Sequence, residues 1–308
     1  NSHRSLKSGH PFERLNDSDY LRSIGAAAIS DEDGKLHPTA AGMLMFGDEY
    51  NIVRHFPEYF LDYREELNST IRWTDRLQSS SGEWSGNVCD FYFRVYNKLI
   101  KDIKVPFKLS GGERVDDTPV HKALREALAN CLINADYYGL RGVVIQKYTD
   151  KIVLANPGYI RTGKKQMRLG GESDPRNKAL MKMFNLINIG ERAGSGVPNI
   201  FNVWEDEGFV EPKIEERFDP DRTILSLAFV KKENKEILLN KKMNEIKNGS
   251  LVKLIEYLEK YNQITTIQGV EITGKSEAQV RRYLKTLCNI GILEKSKSTK
   301  GNIYVKRS

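Results

Sequence analysis

The sequence predicts an α+β protein in two parts, a two-layer α/β sandwich followed by a small basic module of helices and a hairpin. Three observations carry this. A capped amphipathic helix spans residues 118–136, two alternating apolar runs follow it at once, and the positive charge is concentrated at the C-terminal end. From Lys231 onward there are 17 Lys and Arg against 8 Asp and Glu, whereas residues 1–230 carry 31 against 33. A near-neutral body with a basic tail points to a polyanion-binding module joined to a globular core.

The chain of 308 residues is long enough for two or three domains. No apolar run approaches the length of a membrane span, and no secretory signal stands at the start, so a cytoplasmic location is expected with no membrane partner. Cys89, Cys131 and Cys288 are scattered and odd in number, which predicts reduced, mostly buried thiols without a disulfide framework or zinc site. His37, His55 and His121 stand singly and read as structural.

Taken in order, residues 1–35 are polar, lack an initial Met and contain two acidic turns, as expected of a chain that begins partway through a longer polypeptide. Residues 36–47 read as a short helix capped by Thr39 and stopped by Gly47. Residues 60–64 and 71–77 have the aromatic alternation of strands, with Asp75 and Arg76 in a turn or as surface ion-pair partners. Residues 88–103 repeat Phe91, Val95, Leu99 and Ile103 at helical spacing.

The central helix starts at Thr118, whose hydroxyl can accept from free amides, with Pro119 at the position where a missing N–H costs nothing. Val120, Ala123, Leu124, Ala127, Leu128, Cys131, Leu132 and Ala135 form its apolar face. On the opposite stripe Glu126, Asn130 and Asn134 stand four residues apart, one above another. A carboxylate there can polarise a water while an amide oxygen one turn away ligates a hard cation such as Mg²⁺; a solvated polar face fits the same spacing.

Beyond the helix, residues 142–148 and 151–155 form a hairpin turning at Thr149-Asp150, and Asn156-Pro157-Gly158 closes its second strand. Residues 161–172 are a basic glycine-containing loop, a lid over phosphates or a mobile surface loop. Asp174-Pro-Arg-Asn177 opens another helix. Gly194-Ser-Gly196 precedes a further helix start, a bend able to offer free amides to a phosphate. Residues 222–230 would be the closing strand.

Arg125-Glu-Ala-Leu-Ala-Asn-Cys-Leu-Ile-Asn-Ala-Asp-Tyr137 resembles the N-box of the GHKL ATP-binding domains (gyrase, heat-shock chaperone, histidine kinase and MutL types). It is closer to the divergent form in bacterial and archaeal RecG-like transcriptional regulators, roughly REALVNALVHRDY, with Asn134 where that pattern has His. Residues 152–158, 174–177 and 190–196 resemble that family's next blocks in the same order, and residues 36–47 resemble its LTNAGLLLFG stretch. In those regulators a Schlafen-like domain precedes this point, and its signature is absent here.

The resemblance implies a two-layer sandwich of GHKL type that holds ATP and Mg²⁺. Asn130 would bind the metal, Glu126 would orient the attacking water, and Asn134, Asn156, Gly158, Arg176, Gly194 and Gly196 would contact the nucleotide. The family's adenine-reading Asp is replaced by Asn156, which can accept from the adenine amino group without charge assistance. With this departure and Asn134, slow hydrolysis or binding without hydrolysis stands level with a working ATPase. A helicase is disfavoured because no GxxxxGK[ST] motif is present.

After a charged stretch at 231–249, residues 251–261 and 264–272 read as helices. A third begins at Ser276, with Gln279 completing a capping box. It buries Val280, Tyr283, Leu284 and Leu287 and turns Gln279, Arg281, Arg282, Lys285 and Thr286 outward. A hairpin bearing Lys295, Lys297 and Lys300 ends the chain. Three helices and a basic hairpin resemble a winged helix-turn-helix, which implies double-stranded DNA as partner. Ser276, Gln279, Arg281, Arg282 and Lys285 would then meet the groove, and the lysines would meet phosphates.

The organisation expected is a linking α/β region at 1–110, a nucleotide-binding domain at 111–230, a linker at 231–249 and a DNA-binding domain at 250–308. The function expected is a nucleotide-linked transcriptional regulator. The alternative is a binding module whose vestigial nucleotide site serves homodimerisation or a protein partner.

Overall fold

A computed structural model describes residues 10–67, 73–101, 108–110, 113–115, 117–190, 194–232, 249–290, 292–298 and 301–306. The chain divides into two compact units, Asn1–Lys231 and Lys232–Ser308. Both are built from helices and antiparallel or mixed sheet. Among the described residues no helix is long and apolar enough to cross a membrane.

The first unit opens with α1 (Asp17–Ile24), the small hairpin β1 (Ala27–Ile29) and β2 (Leu36–Pro38), α2 (Ala40–Phe46) and α3 (Glu49–His55). Thr39 caps α2, its side chain accepting from the Gly42 amide at 3.0 Å. Next come β3 (Leu61–Glu66), β4 (Asp75–Gln78), α4 (Val88–Ile100), a two-stranded ribbon of β5 (Lys108–Ser110) and β6 (Glu113–Val115), and α5 (Pro119–Ile133). The remainder is β7 (Val143–Tyr148), β8 (Lys151–Pro157), α6 (Lys164–Leu169), α7 (Lys178–Leu186), α8 (Gly196–Asp206), β9 (Lys213–Phe218) and β10 (Asp221–Ala228).

Six strands form one sheet in the order β4-β3-β7-β8-β10-β9. The β3–β7 pair is parallel and the other pairs are antiparallel. Residues 1–110 and 111–230 therefore share one sheet, and side chains from both join one core, so no separate body ends at residue 110.

Helix α5 lies at the centre of that core, packed against α4, α7, α8 and β8. Val120, Ala123, Leu124, Ala127, Leu128 and Leu132 are fully buried or nearly so. At its start the caps are reciprocal: Thr118 accepts from the His121 amide, and His121 Nδ1 accepts from the Thr118 amide at 3.2 Å. His121 is thus a helix-start residue. The helix stops at Ile133, three residues before the expected end, because Asn134 leaves helical geometry (φ −97°, ψ 0°) as its C-cap.

Several expectations are corrected here. Helix α4 ends at Ile100, and Ile103 lies outside the described residues. Asp75 and Arg76 sit on β4 rather than in a turn, while Ile71 and Arg72 are not described. Arg76 pairs with Asp62, which is fully buried and also takes Arg64, so this carboxylate lies between two guanidiniums. Part of the loop at 161–172 is the short helix α6. Strand β9 was not expected: its sequence Lys-Ile-Glu-Glu-Arg-Phe has the charged character of an edge strand.

The second unit contains α9 (Gly249–Tyr261), β11 (Gln263–Thr265), α10 (Thr266–Thr273), α11 (Glu277–Ile290), β12 (Leu293–Ser298) and β13 (Gly301–Lys306). Its antiparallel sheet has the order β11-β13-β12. Strand β11, three residues long, replaces the start of the second expected helix; Thr265 and Gln268 then cap α10 reciprocally. Leu254, Leu258, Ile264, Val280, Leu284, Leu287 and Tyr304 close an independent core.

Candidate functional site

A cleft of about 1100 Å³, counting its open mouth, lies in the first unit between α5, strands β8 and β10, and the loops at 159–176 and 194–197. Glu126, Asn130, Asn134, Asn156, Arg176, Gly194 and Gly196 all line it. The four-residue spacing on α5 accounts for the first three, since one helical stripe faces the opening.

Glu126 is only 9% exposed, and its Oε1 accepts from Asn130 Nδ2 at 3.0 Å. That bond turns the Asn130 amide so that Oδ1 is left over, and Oδ1 accepts no hydrogen bond among the described residues. Gly196 explains how the carboxylate fits: a Cβ there would fall 1.9 Å from Glu126 Oε1. Gly196 is therefore present as space for Glu126, a different reason from amide donation.

Asn156, 6% exposed, donates from Nδ2 to Pro157 O at 3.1 Å and to Asn134 O at 3.5 Å. Its Oδ1 accepts no hydrogen bond among the described residues. Thr223, which sequence reading missed, lines the same end and donates its hydroxyl to Gly158 O at 2.9 Å. Its signal was only strand alternation on β10, where residues 223 and 225 share a face. Leu154, Met181, Ile214 and Leu225 add apolar wall.

Asn134 behaves differently from its neighbours on the stripe. Its Nδ2 donates to Asn130 O at 3.0 Å and its Oδ1 accepts from the Arg176 amide at 3.3 Å, so it ends the helix and anchors the next loop. Arg176 is similarly committed, donating to Tyr159 O at 3.2 Å and facing Asp136 at 3.7 Å. Gly158 (φ +95°) is not in the cleft wall but backs this guanidinium, which lies 3.0 Å from where a Cβ would be. Gly194 (φ +68°) meets the backbone of Glu172, locking the two loops together.

The strand-to-helix turn from Gly158 to Lys164 has the spacing of a P-loop, but Lys165 stands where a hydroxyl is required. Its Ile160 amide is taken by Glu216 Oε1 at 3.0 Å and its Gly163 amide by Ile160 O at 3.2 Å. These amides do not form an anion cradle.

The lining carries Glu126, Glu172 and Asp174 against Arg161 and Arg176 among the described residues. Arg161 faces Asp174 at 3.0 Å. Cys131 also lines the wall, and burial pushes its thiol up to about 12, opposed by Arg222, so it is no nucleophile. Among the described residues no group of three or more His, Cys, Asp or Glu forms a metal site.

In the second unit, Ser276, Gln279, Arg281, Arg282 and Lys285 are exposed along α11 and its approach, and Lys295 is exposed on β12. The Gln279 amide donates to Ser276 Oγ at 3.4 Å. Arg281 is held by Glu277 one turn away, whereas Arg282 has no ion pair among the described residues. Lys297 lies on β12 opposite Asn302, and Lys300 lies outside the described residues.

Residues 141–224 match the family described as "putative ATP-dependent DNA helicase recG C-terminal". This stretch is thus similar to a RecG-like, ATPase-type domain, and it includes Asn156, Arg176 and the glycine bend but not Glu126 or Asn130. Residues 1–62 match a family described as a domain of unknown function. No curated protein matches the sequence. Among solved structures, the DIP2311 protein from Corynebacterium diphtheriae is similar with a TM-score of 0.56 and 16% identity, over 99% of this chain and 60% of that one. At that identity the likeness concerns the fold alone, and this chain spans 60% of that protein's length.

Proposed function

We propose that the chain is a DNA-binding transcriptional regulator whose first unit, a divergent GHKL-type sandwich, binds an adenine nucleotide, and whose second unit is a winged helix-turn-helix. The observation that carries the nucleotide reading is the cleft that places Glu126 and Asn130 one turn apart at its wall. At the other polar position, Asn156 Oδ1 and the lone pairs of Thr223 present acceptors, which suit the donor edge of adenine and would repel the carbonyl of guanine.

The residues present fit a Mg²⁺-nucleotide. Asn130 Oδ1, which accepts no hydrogen bond among the described residues, is an oxygen ligand of the hard type this ion prefers. When bound, Mg²⁺ would supply charge neutralisation at the phosphates. Glu126, held by Asn130, is the group that would orient a water. The winged-helix reading is supported by the three helices, the sheet order β11-β13-β12 and the exposed cationic face of α11.

The rival reading, a binding body with a vestigial site used for dimerisation or a partner, is favoured by Asn134, whose amide is spent on the protein itself, and by Arg176, whose Nη2 donates to Tyr159 O. Anisotropy titrations of duplex DNA with and without ATP·Mg²⁺ separate the two. A regulator is expected to change DNA affinity about 5-fold or more on nucleotide addition, the usual scale of coupling between sites. Affinity that is identical with and without nucleotide supports the rival.

A further inference from the structure

Strand β9 (Lys-Ile-Glu-Glu-Arg-Phe, residues 213–218) ends the six-stranded sheet, and among the described residues no strand lies along its far side. The register shows which of its backbone groups point there. At the two ends of β10 the Asp221 carbonyl accepts from the Gly158 amide and the Phe229 amide donates to Asp150 O. The odd-numbered residues of β10 therefore bond β8, and the even-numbered ones bond β9. Arg222, Ile224 and Ser226 stand opposite Arg217, Glu215 and Lys213. The amides and carbonyls of Ile214, Glu216 and Phe218 are thus turned outward. Phe218 is 70% exposed. Arg217 and Glu215, with side chains 61% and 38% exposed, reach each other along their own strand at 2.8 Å.

We propose that β9 is the docking edge for a second copy of this chain, the two β9 strands pairing antiparallel about a two-fold axis at Glu216 and joining their sheets. Centred there, the outward groups of residues 214, 216 and 218 meet their equals. On one face Glu215 lies opposite Arg217 of the second copy, and on the other Ile214 lies opposite Phe218 of the second copy. The two-fold makes each of these favourable pairs twice. A slip of two residues either way sets Glu215 opposite Glu215 or Arg217 opposite Arg217, so charge selects this register. The two Glu216 carboxylates at the axis are held by their own loops, each accepting from the Ile160 amide at 3.0 Å with Lys164 at 3.8 Å. Charge on an edge strand ordinarily resists pairing, but here its order fits its own reverse. Ile214 lines the cleft, so Phe218 of the second copy extends the apolar wall beside it. The inference goes beyond the function proposed above and holds whether or not the cleft takes a nucleotide.

The test is sedimentation velocity of the full chain between about 1 and 200 μM, a range that populates a small, transient interface. For the wild type we expect reversible association that doubles the mass across that range. Arg217→Glu and Glu215→Arg each set like charges opposite one another twice, and each is expected to weaken association about tenfold. An equimolar mixture of the two variants is expected to associate as the wild type does. Within either variant both positions carry one sign, so only contact between different chains restores the unlike pairs, and recovery on mixing cannot come from folding. A wild type that stays monomeric throughout overturns the proposal. Association that neither single variant weakens overturns it too, because the contact then lies elsewhere. A mixture that associates no better than either variant alone also overturns it, since the losses then have another cause than the facing charges.

Discussion

Gly42→Ala is expected to lower the stability of the first unit by about 3 kcal/mol, the upper end of the ordinary cost of overpacking. The added Cβ would lie 1.8 Å from the carbonyl oxygen of Ala26 and 2.6 Å from its carbonyl carbon, so backbone meets backbone and no side chain can swing aside. Helix α2 would have to lift away from the segment leading into β1. That segment is itself tied to the helix start, since the Thr39 amide donates to Ala26 O at 2.9 Å and Thr39 Oγ1 to Gly25 O at 2.7 Å. For a unit of this size such a loss corresponds to a fall of roughly 6–12 °C in Tm. Differential scanning calorimetry measures it, with Gly249→Ala as the control because no atom lies within 4 Å of its added methyl. A fall below about 2 °C for Gly42→Ala would mean that the close approach of α2 to the β1 segment is wrong.

The second large effect concerns DNA. Replacing Lys295, Lys297 and Lys300 together by alanine is expected to weaken duplex binding on the order of 100-fold at 0.1 M salt, because each phosphate contact adds about 0.9 to the slope of log K against log salt. The slope itself should become shallower by up to about 2.7, which distinguishes lost phosphate contacts from misfolding. Arg282→Ala is expected to cost about 1–3 kcal/mol on a preferred sequence and less on random DNA, since its guanidinium is exposed and has no intramolecular ion pair among the described residues. Arg281→Ala should cost less, its guanidinium being held by Glu277. Unchanged affinity and slope in both the triple variant and Arg282→Ala would favour a protein-contact role for this unit.

What the sequence disclosed was whatever local signals dictate. Helix α5 announced its start through Thr118 and Pro119 and its buried face through period, and β7–β8 announced themselves through alternation and a two-residue turn. The stripe of Glu126, Asn130 and Asn134 was legible as a stripe, but the division of labour within it was not. Asn134 sits where the helix must end, so its amide is drawn into closing the last turn and holding Arg176, a demand set by a loop 42 residues away.

Long-range contacts hid the rest. Gly158 reads as a ligand glycine until Arg176 is seen packed on it, and Gly196 as an amide donor until Glu126 is seen beside it. Arg76 reads as a surface ion-pair residue, yet its partner Asp62 is fully buried, taking Arg64 on its own strand as well as Arg76 on the next. Strands β9 and β11 escaped because a charged edge and a three-residue stretch carry too little period to register.

The central claim is that the amide of Asn130, held by Glu126, takes part in binding a metal-nucleotide. Isothermal titration of ATP with Mg²⁺ into the wild-type chain and into Asn130→Ala tests it most directly. Measurable binding by the wild type and a loss of at least tenfold in the variant is the result this account predicts; equal, negligible heats in both proteins would contradict it.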